Sequence, residues 1–285
     1  MSSSSPALDH NAASTSAGDV AITAEREETK YLVSAERLPA LSRVISSRLE
    51  SHRFTGEAAN RLPGAQHFTT TIYFDTPSLG YYTAARSNQQ SNIKIRAKEY
   101  YDLHPSLAEL ATDPEQIVRY QPWLWFELKR REGLTTSKRR FRFPKAAAAT
   151  LFDEARPPSG LPQSGQELSD AEAMIEHVRS QPEHVAPSAV VNYRRLSFQN
   201  PDSTLRVTVD IGLSFFRVPP DLFRRTRPLS RSELGAPAGV EPRAVVEVKR
   251  RTALPGWLEQ ALSDAGAGPI SYSKFVAASE AIHHG

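Results

Sequence analysis

Asn92-Ile93-Lys94-Ile95-Arg96-Ala97-Lys98 alternates apolar and basic residues without a break. In a strand, side chains two positions apart share a face, about 7 Å from each other. Lys94, Arg96 and Lys98 therefore project one way, and Ile93, Ile95 and Ala97 the other. The same spacing recurs on both sides of this segment. Glu127 and Lys129 oppose Phe126 and Leu128, and Lys138, Arg140 and Arg142 oppose Phe141 and Phe143. Arg206, Thr208 and Asp210 share a face, as do Glu247 and Lys249, and Arg26, Glu28 and Lys30.

One wet and one dry face is ordinary in antiparallel sheet, and any single strand here fits that description. Taken together the strands depart from it. A solvated face usually mixes Thr, Ser, Gln, Lys and Glu, whereas most of these strands carry basic residues at alternate positions with a lone acid among them. If the sheet curls shut with those faces inward, many cations share one cavity, where they repel one another and lose solvation. A polyanion relieves that cost, and a chain of phosphates is the obvious occupant. The acids Glu28, Glu127, Asp210 and Glu247 then suit Mg²⁺ or Mn²⁺, which typically take one or two protein carboxylates and leave other positions to water and phosphate. Phosphoryl transfer asks a protein mainly for alignment and charge neutralisation, and such a cavity offers both.

Eight segments read as strands, over 25–33, 68–75, 92–98, 123–131, 138–143, 190–198, 205–217 and 244–250, with a hairpin turn at Asn200-Pro201-Asp202-Ser203. Helices are expected at about 36–50, 146–154, 169–180, 255–265 and 272–283. The stretches 102–121, 155–168 and 219–242 read as surface insertions. The fold class expected is α+β, an eight-stranded antiparallel β-barrel tunnel with helices packed outside. Residues 1–23, rich in Ser and Ala, are expected to form a disordered tail ahead of one domain over 24–283. That tail lacks the basic start and apolar core of a secretory signal, and no apolar run approaches the ~20 residues of a membrane span, so a cytoplasmic location is expected. Absence of cysteine excludes disulfides and thiolate metal sites, and the net charge of +3 leans only weakly toward anionic partners. No Gly-rich phosphate loop is present, so phosphates would be cradled by side chains. A nucleic-acid patch would need aromatics on the basic face; Trp123 and Trp125 read instead as packing at a barrel end or under a helix, and no nucleic-acid partner is expected.

Five ordered motifs extend this reading: Arg26-Glu27-Glu28-Thr29-Lys30-Tyr31, Thr71-Ile72-Tyr73-Phe74-Asp75-Thr76, Tyr193-Arg194-Arg195-Leu196-Ser197-Phe198, Val246-Glu247-Val248-Lys249 and Tyr272-Ser273-Lys274-Phe275. Together they resemble the VTC domain, the polyphosphate polymerase domain of the vacuolar transporter chaperone complex and its bacterial relatives, within the triphosphate tunnel metalloenzymes. The resemblance implies transfer of the ATP γ-phosphate to a growing polyphosphate chain with a divalent metal, Mn²⁺ or Mg²⁺. It implies catalytic roles for Lys30, Lys129, Arg195 and Arg206. Phosphate or nucleotide binding would fall to Arg26, Lys94, Arg96, Lys138, Lys249, Ser273 and Lys274. Glu247 matches the metal-binding glutamate, with Glu28 and Glu127 as further candidate ligands. Arg26 opens the first motif where the cyclase and thiamine triphosphatase branch carries Glu, which resembles the VTC branch. Ser271 departs from the family's closing motif, which often has Lys there, so one tunnel cation is missing. Two other readings stay open: a tripolyphosphatase or nucleoside triphosphatase in the same tunnel, and a non-catalytic polyanion-binding module.

Overall fold

A strand with one apolar face needs something to cover that face, and the helices of this chain do so. The computed structural model describes residues 27–51, 66–87, 91–101, 123–133, 135–153, 165–225, 229 and 231–284. The expected tail over 1–23, Arg26, the insertion at 102–121 and residues 155–164 of the insertion expected at 155–168 lie outside the described residues, while 165–168 are helical rather than irregular. The strands are β1 (Glu27–Val33), β2 (Glu50–Ser51), β3 (Gln66–Asp75), β4 (Ser91–Tyr101), β5 (Trp123–Glu132), β6 (Thr135–Pro144), β7 (Ala186–Gln199), β8 (Leu205–Phe216), β9 (Gly239–Glu241), β10 (Ala244–Arg250) and β11 (Pro269–Ile270). The helices are α1 (Leu38–Arg48), α2 (Gly80–Arg86), α3 (Ala148–Asp153), α4 (Gly165–Arg179), α5 (Gly256–Asp264) and α6 (Lys274–His283).

The strands join one antiparallel sheet in the order β11-β1-β10-β8-β7-β3-β4-β5-β6, with β2 on β7 and β9 on β8. This corrects the expectation of a closed eight-stranded barrel. The eight long strands are present, but β2, β9 and β11 make eleven, and β6 and β11 remain hydrogen-bonding edges among the described residues. Part of the outer edge of β1 is taken by β11, through Lys30 opposite Ile270 and Tyr31 opposite Pro269, and among the described residues no ladder joins β1 to β6. The sheet curls nonetheless, and irregular register between Asn192 and Arg194 in β7, opposite Gly212 at φ 64°, adds local bend.

The curl is held from outside. Ile72, Phe74, Ile95, Phe126, Phe141 and Phe143 pack with Leu151, Phe152, Met174 and Ile175 of α3 and α4. Val207, Val209, Val246 and Val248 pack with Leu41 and Ile45 of α1 and Leu258 and Leu262 of α5. Burying each such side chain is worth about 1.5–3 kcal/mol, so the apolar half of every alternation drives the bend. The C-terminal helix α6 is placed differently. Phe275 stacks on Tyr73 at 5.0 Å, and Tyr73 belongs to the inner, polar face.

All eight expected strands and five expected helices are found, with ends moved by a few residues. Helix α2 was not expected. Asp75 builds it, accepting the Thr76 and Tyr81 N–H groups at 2.8 Å each and that of Tyr82 at 2.9 Å. Within the insertion at 219–242 the chain forms β9 and two short 3₁₀ turns. No described helix is long and apolar enough to cross a membrane.

Candidate functional site

The inner face encloses a cavity of about 380 Å³. Its walls carry Lys30, Lys94, Arg96, Lys98, Lys129, Lys138, Arg140, Arg195, Arg206, Lys249 and Lys274, against only Glu28, Glu127 and Glu247. Every described residue to which a catalytic, phosphate-binding or metal role was assigned through the family resemblance is among this lining, Ser273 included, whereas Asp210, Arg142 and Ser271 are not. Alternation alone supplies the geometry, because each strand donates its i, i+2 row to the same side.

The acids differ in their surroundings. Glu127 is 1% exposed and ringed by cations: Arg96 donates from Nε at 2.6 Å, Lys138 lies at 3.1 Å, and Lys98 and Arg140 at 3.6 Å each. Burial opposes its charge, but these four neighbours hold the carboxyl well below its ordinary range. Asp210, just behind the wall, accepts Arg195 Nε and Nη2 at 2.6 and 2.7 Å and Lys274 Nζ at 2.6 Å. Burial opposes ionisation there as well, yet Arg195 and Lys274 bring the carboxyl down to about 2. Both acids are consumed by holding guanidinium and ammonium groups in place.

Glu28 and Glu247 are less encumbered. They share one ammonium, Lys249 Nζ, at 3.3 and 3.0 Å, and Lys30 Nζ lies 3.4 Å from Glu28. Register explains the sharing: Glu28 lies opposite Lys249, and Lys30 opposite Glu247. Glu247 is held well below its ordinary range against burial by Lys249, Arg195, Lys30 and Lys274. Among the described residues no cluster of three or more metal-ligating side chains forms. Two adjacent all-oxygen donors nevertheless fit a hard divalent ion, whose remaining positions go to phosphate and water.

Lys94 stands in the cavity with no ion pair to a carboxylate among the described residues. Burial first, then Lys30, Lys129, Arg96 and Arg131, push the Lys94 ammonium down to about 8. Lys94 Nζ donates to Ser273 Oγ at 3.2 Å, and Ser273 caps α6 by accepting the Val276 N–H at 3.4 Å. The start of α6, where unpaired N–H groups favour anions, thus faces the cations of β4. Lys30 Nζ donates to the Tyr272 carbonyl at 3.0 Å, tying the same loop to β1.

A second cavity of about 360 Å³ meets the first. Glu28, Lys30, Lys94, Lys129 and Ser273 line both, and Asn92, Arg131, Thr136, Ser271 and Tyr272 continue the second. Sequence reasoning passed over several lining residues: His67, Tyr73, Tyr100, Arg140, Tyr193 and Thr208 had no assigned site role. The alternation already contained them, since Arg140 is two positions from Lys138, Tyr193 two from Arg195 and Tyr100 two from Lys98.

A family model described as the VTC domain matches residues 25–283. Comparison with curated proteins gave no match. Among solved structures, an adenylyl cyclase candidate from Hippeastrum, described as having a dominant triphosphatase activity, is 14% identical at a TM-score of 0.47, covering 90% of this chain and 95% of that one. An adenylate cyclase candidate from Bacillus halodurans is 14% identical at a TM-score of 0.43, covering 88% of this chain and 96% of that one.

Proposed function

Because the chain belongs to the VTC domain family, we propose that it is a polyphosphate polymerase, passing the γ-phosphoryl group of ATP to the end of a phosphate chain. An oxygen of the chain's terminal phosphate attacks the γ-phosphorus, the bond to the β–γ bridging oxygen breaks, and ADP leaves. The acceptor oxygen is already ionised, so the step needs no strong base. It needs neutralisation of charge and alignment, which fixed cations supply. Arg195, locked by Asp210, and Arg96, locked by Glu127, are rigid donors. Lys30, Lys94 and Lys129 crowd the junction of the two cavities. Glu28 and Glu247 would hold Mg²⁺ or Mn²⁺, which when bound supplies further neutralisation of phosphate charge. We assign Glu127 to the guanidinium and ammonium groups around it rather than to metal.

The observation that carries this reading over hydrolysis is the second cavity. A triphosphatase needs one chamber, whereas chain growth needs a basic path leading away from the chemistry. Ser271 does remove one cation from that path, which favours the hydrolase reading, but Arg131 lines it together with Lys30, Lys94 and Lys129. The test is product analysis with ATP and Mn²⁺ or Mg²⁺, with and without a short polyphosphate primer. Chains that an exopolyphosphatase degrades are expected. Orthophosphate without chain growth would replace the polymerase by a tunnel hydrolase. Glu247→Gln is expected to lower turnover at least about 100-fold while ATP binding persists. Unchanged turnover in that variant would overturn the assignment of Glu247.

A further inference from the structure

The two ends of the main cavity differ in chemistry. At the junction with the second cavity stand Glu28, Lys30, Lys94, Lys129 and Ser273, all polar and none aromatic. The other end is built from planar groups. β4 and β5 are in register there with Lys98 opposite Trp125, and β6 brings Arg142 opposite the same Trp125. Arg140, one alternate position deeper, lays its guanidinium over the Trp125 ring with Cζ 3.9 Å from the centroid, while Arg142 stands at 5.5 Å. The Arg140 side chain is 36% exposed and lines the cavity, so its guanidinium sits over the indole without being enclosed. Tyr100 joins this end, its ring 5.6 Å from that of His67.

We infer that the Trp125–Arg140 stack is a nucleobase platform, which makes this chamber a nucleotide site rather than one for inorganic phosphate chains alone. This rests on the polymerase reading and adds which end of the substrate goes where. A phosphate chain uses a guanidinium's charge and the N–H donors along its edge, but gains nothing from the flat face of the plane. A base gains a second π-face, and bases stack on aromatic rings and on Arg guanidinium planes alike. Indole beneath keeps the guanidinium flat and oriented, leaving its outer face for the base. The nucleotide then lies with its base at Trp125 and its phosphates directed toward Glu247 and the junction, and the growing chain occupies the second cavity.

The experiment is calorimetric binding of ATP and of inorganic tripolyphosphate to the full chain, in wild type, Trp125→Ala and Arg140→Lys. Arg140→Lys keeps the charge and removes the plane, and it tests the inference even if Trp125→Ala misfolds. The expected result is an ATP affinity lowered about 5- to 50-fold in either variant, with tripolyphosphate within about twofold of wild type. Trp125→Phe, which restores a π-face, is expected to recover most of the loss. Equal losses for both ligands, or no loss for ATP, would overturn the platform while leaving the polymerase reading intact. Failure of wild type to bind either ligand would overturn both.

Discussion

The charge of Lys94, in the cavity wall, is conditional. Its ammonium is pushed down to about 8, first by burial and then by four neighbouring cations. Between about pH 8 and the ordinary lysine value near 10.4, the unfolded chain carries a proton that the folded chain has lost. That group's contribution to stability therefore rises with pH across this window. Binding of a polyanion runs the opposite way, because it favours the charged ammonium. Tripolyphosphate affinity is expected to fall severalfold between pH 7 and 9, and Lys94→Arg, which stays charged, should flatten the profile. Calorimetric titrations at several pH values check this, and a wild-type profile as flat as the variant's would contradict it. The acids show what a single residue's sequence context conceals. Glu127 and Glu247 each sit two positions before a lysine and read alike. Their cross-strand neighbours separate them: Glu127 lies between Arg96 and Arg140, Glu247 between Lys30 and Thr208. Register belongs to pairs of strands, so no one strand could reveal it.

At the scale of elements, β4 has a second task on its outer side. Glu99 points away from the cavity, is 1% exposed, and accepts Lys145 Nζ at 2.8 Å and the Leu229 N–H at 2.6 Å. Thr70 donates to the Leu229 carbonyl at 2.5 Å. Glu99 thus fastens β4 to Lys145, just past the end of β6, and to Leu229. Removing one partner leaves the other's charge buried, so Glu99→Gln is expected to cost about 3–5 kcal/mol. Replacing both, as Glu99→Met with Lys145→Met, should recover much of it. Denaturant unfolding of the single and double variants measures the difference, and a single variant as stable as wild type would remove the ion pair from the account. Nothing in the sequence announced this pair, since Glu99 breaks the apolar row Ile93, Ile95, Ala97 at its end. The same holds for α2: Gly80–Arg86 has no helical stripe of its own, and its start depends on Asp75 of the preceding strand. The long strands were legible because their period is local. Elements fixed by distant partners were not.

For the molecule as a whole, the charge asymmetry is internal. The chain's net charge is only +3, while its main cavity carries eleven basic side chains and three acidic ones. Occupation by a polyanion should therefore stabilise the fold well beyond what surface charge would suggest. At a ligand concentration a hundred times Kd, linkage adds about 2.7 kcal/mol, or about 5–11 °C in Tm for a protein of this size. Tripolyphosphate is expected to raise Tm by that order, with the shift shrinking as NaCl rises. A thermal scan without any shift would mean that the cavity does not take phosphate chains. The curl that creates the cavity was foreseeable from strand alternation, but its incomplete closure was not. Closure depends on which strand reaches the free edge of β1, and β11 is a two-residue strand with no period to read.

The ammonium shared by Glu28 and Glu247 gives that pair a tethered placeholder. A divalent ion held by these two carboxylates would take the place of a cation that is covalently part of the wall, so loading would be an exchange rather than an addition. Lys249 spares the two carboxylates mutual repulsion, and it would be free to turn toward phosphate if a metal took its place. Lys249→Met is accordingly expected to tighten Mn²⁺ binding measured by calorimetry and to lower Tm in the presence of chelator. Weaker Mn²⁺ binding in that variant would show that the ammonium recruits the metal's ligands instead of holding their place.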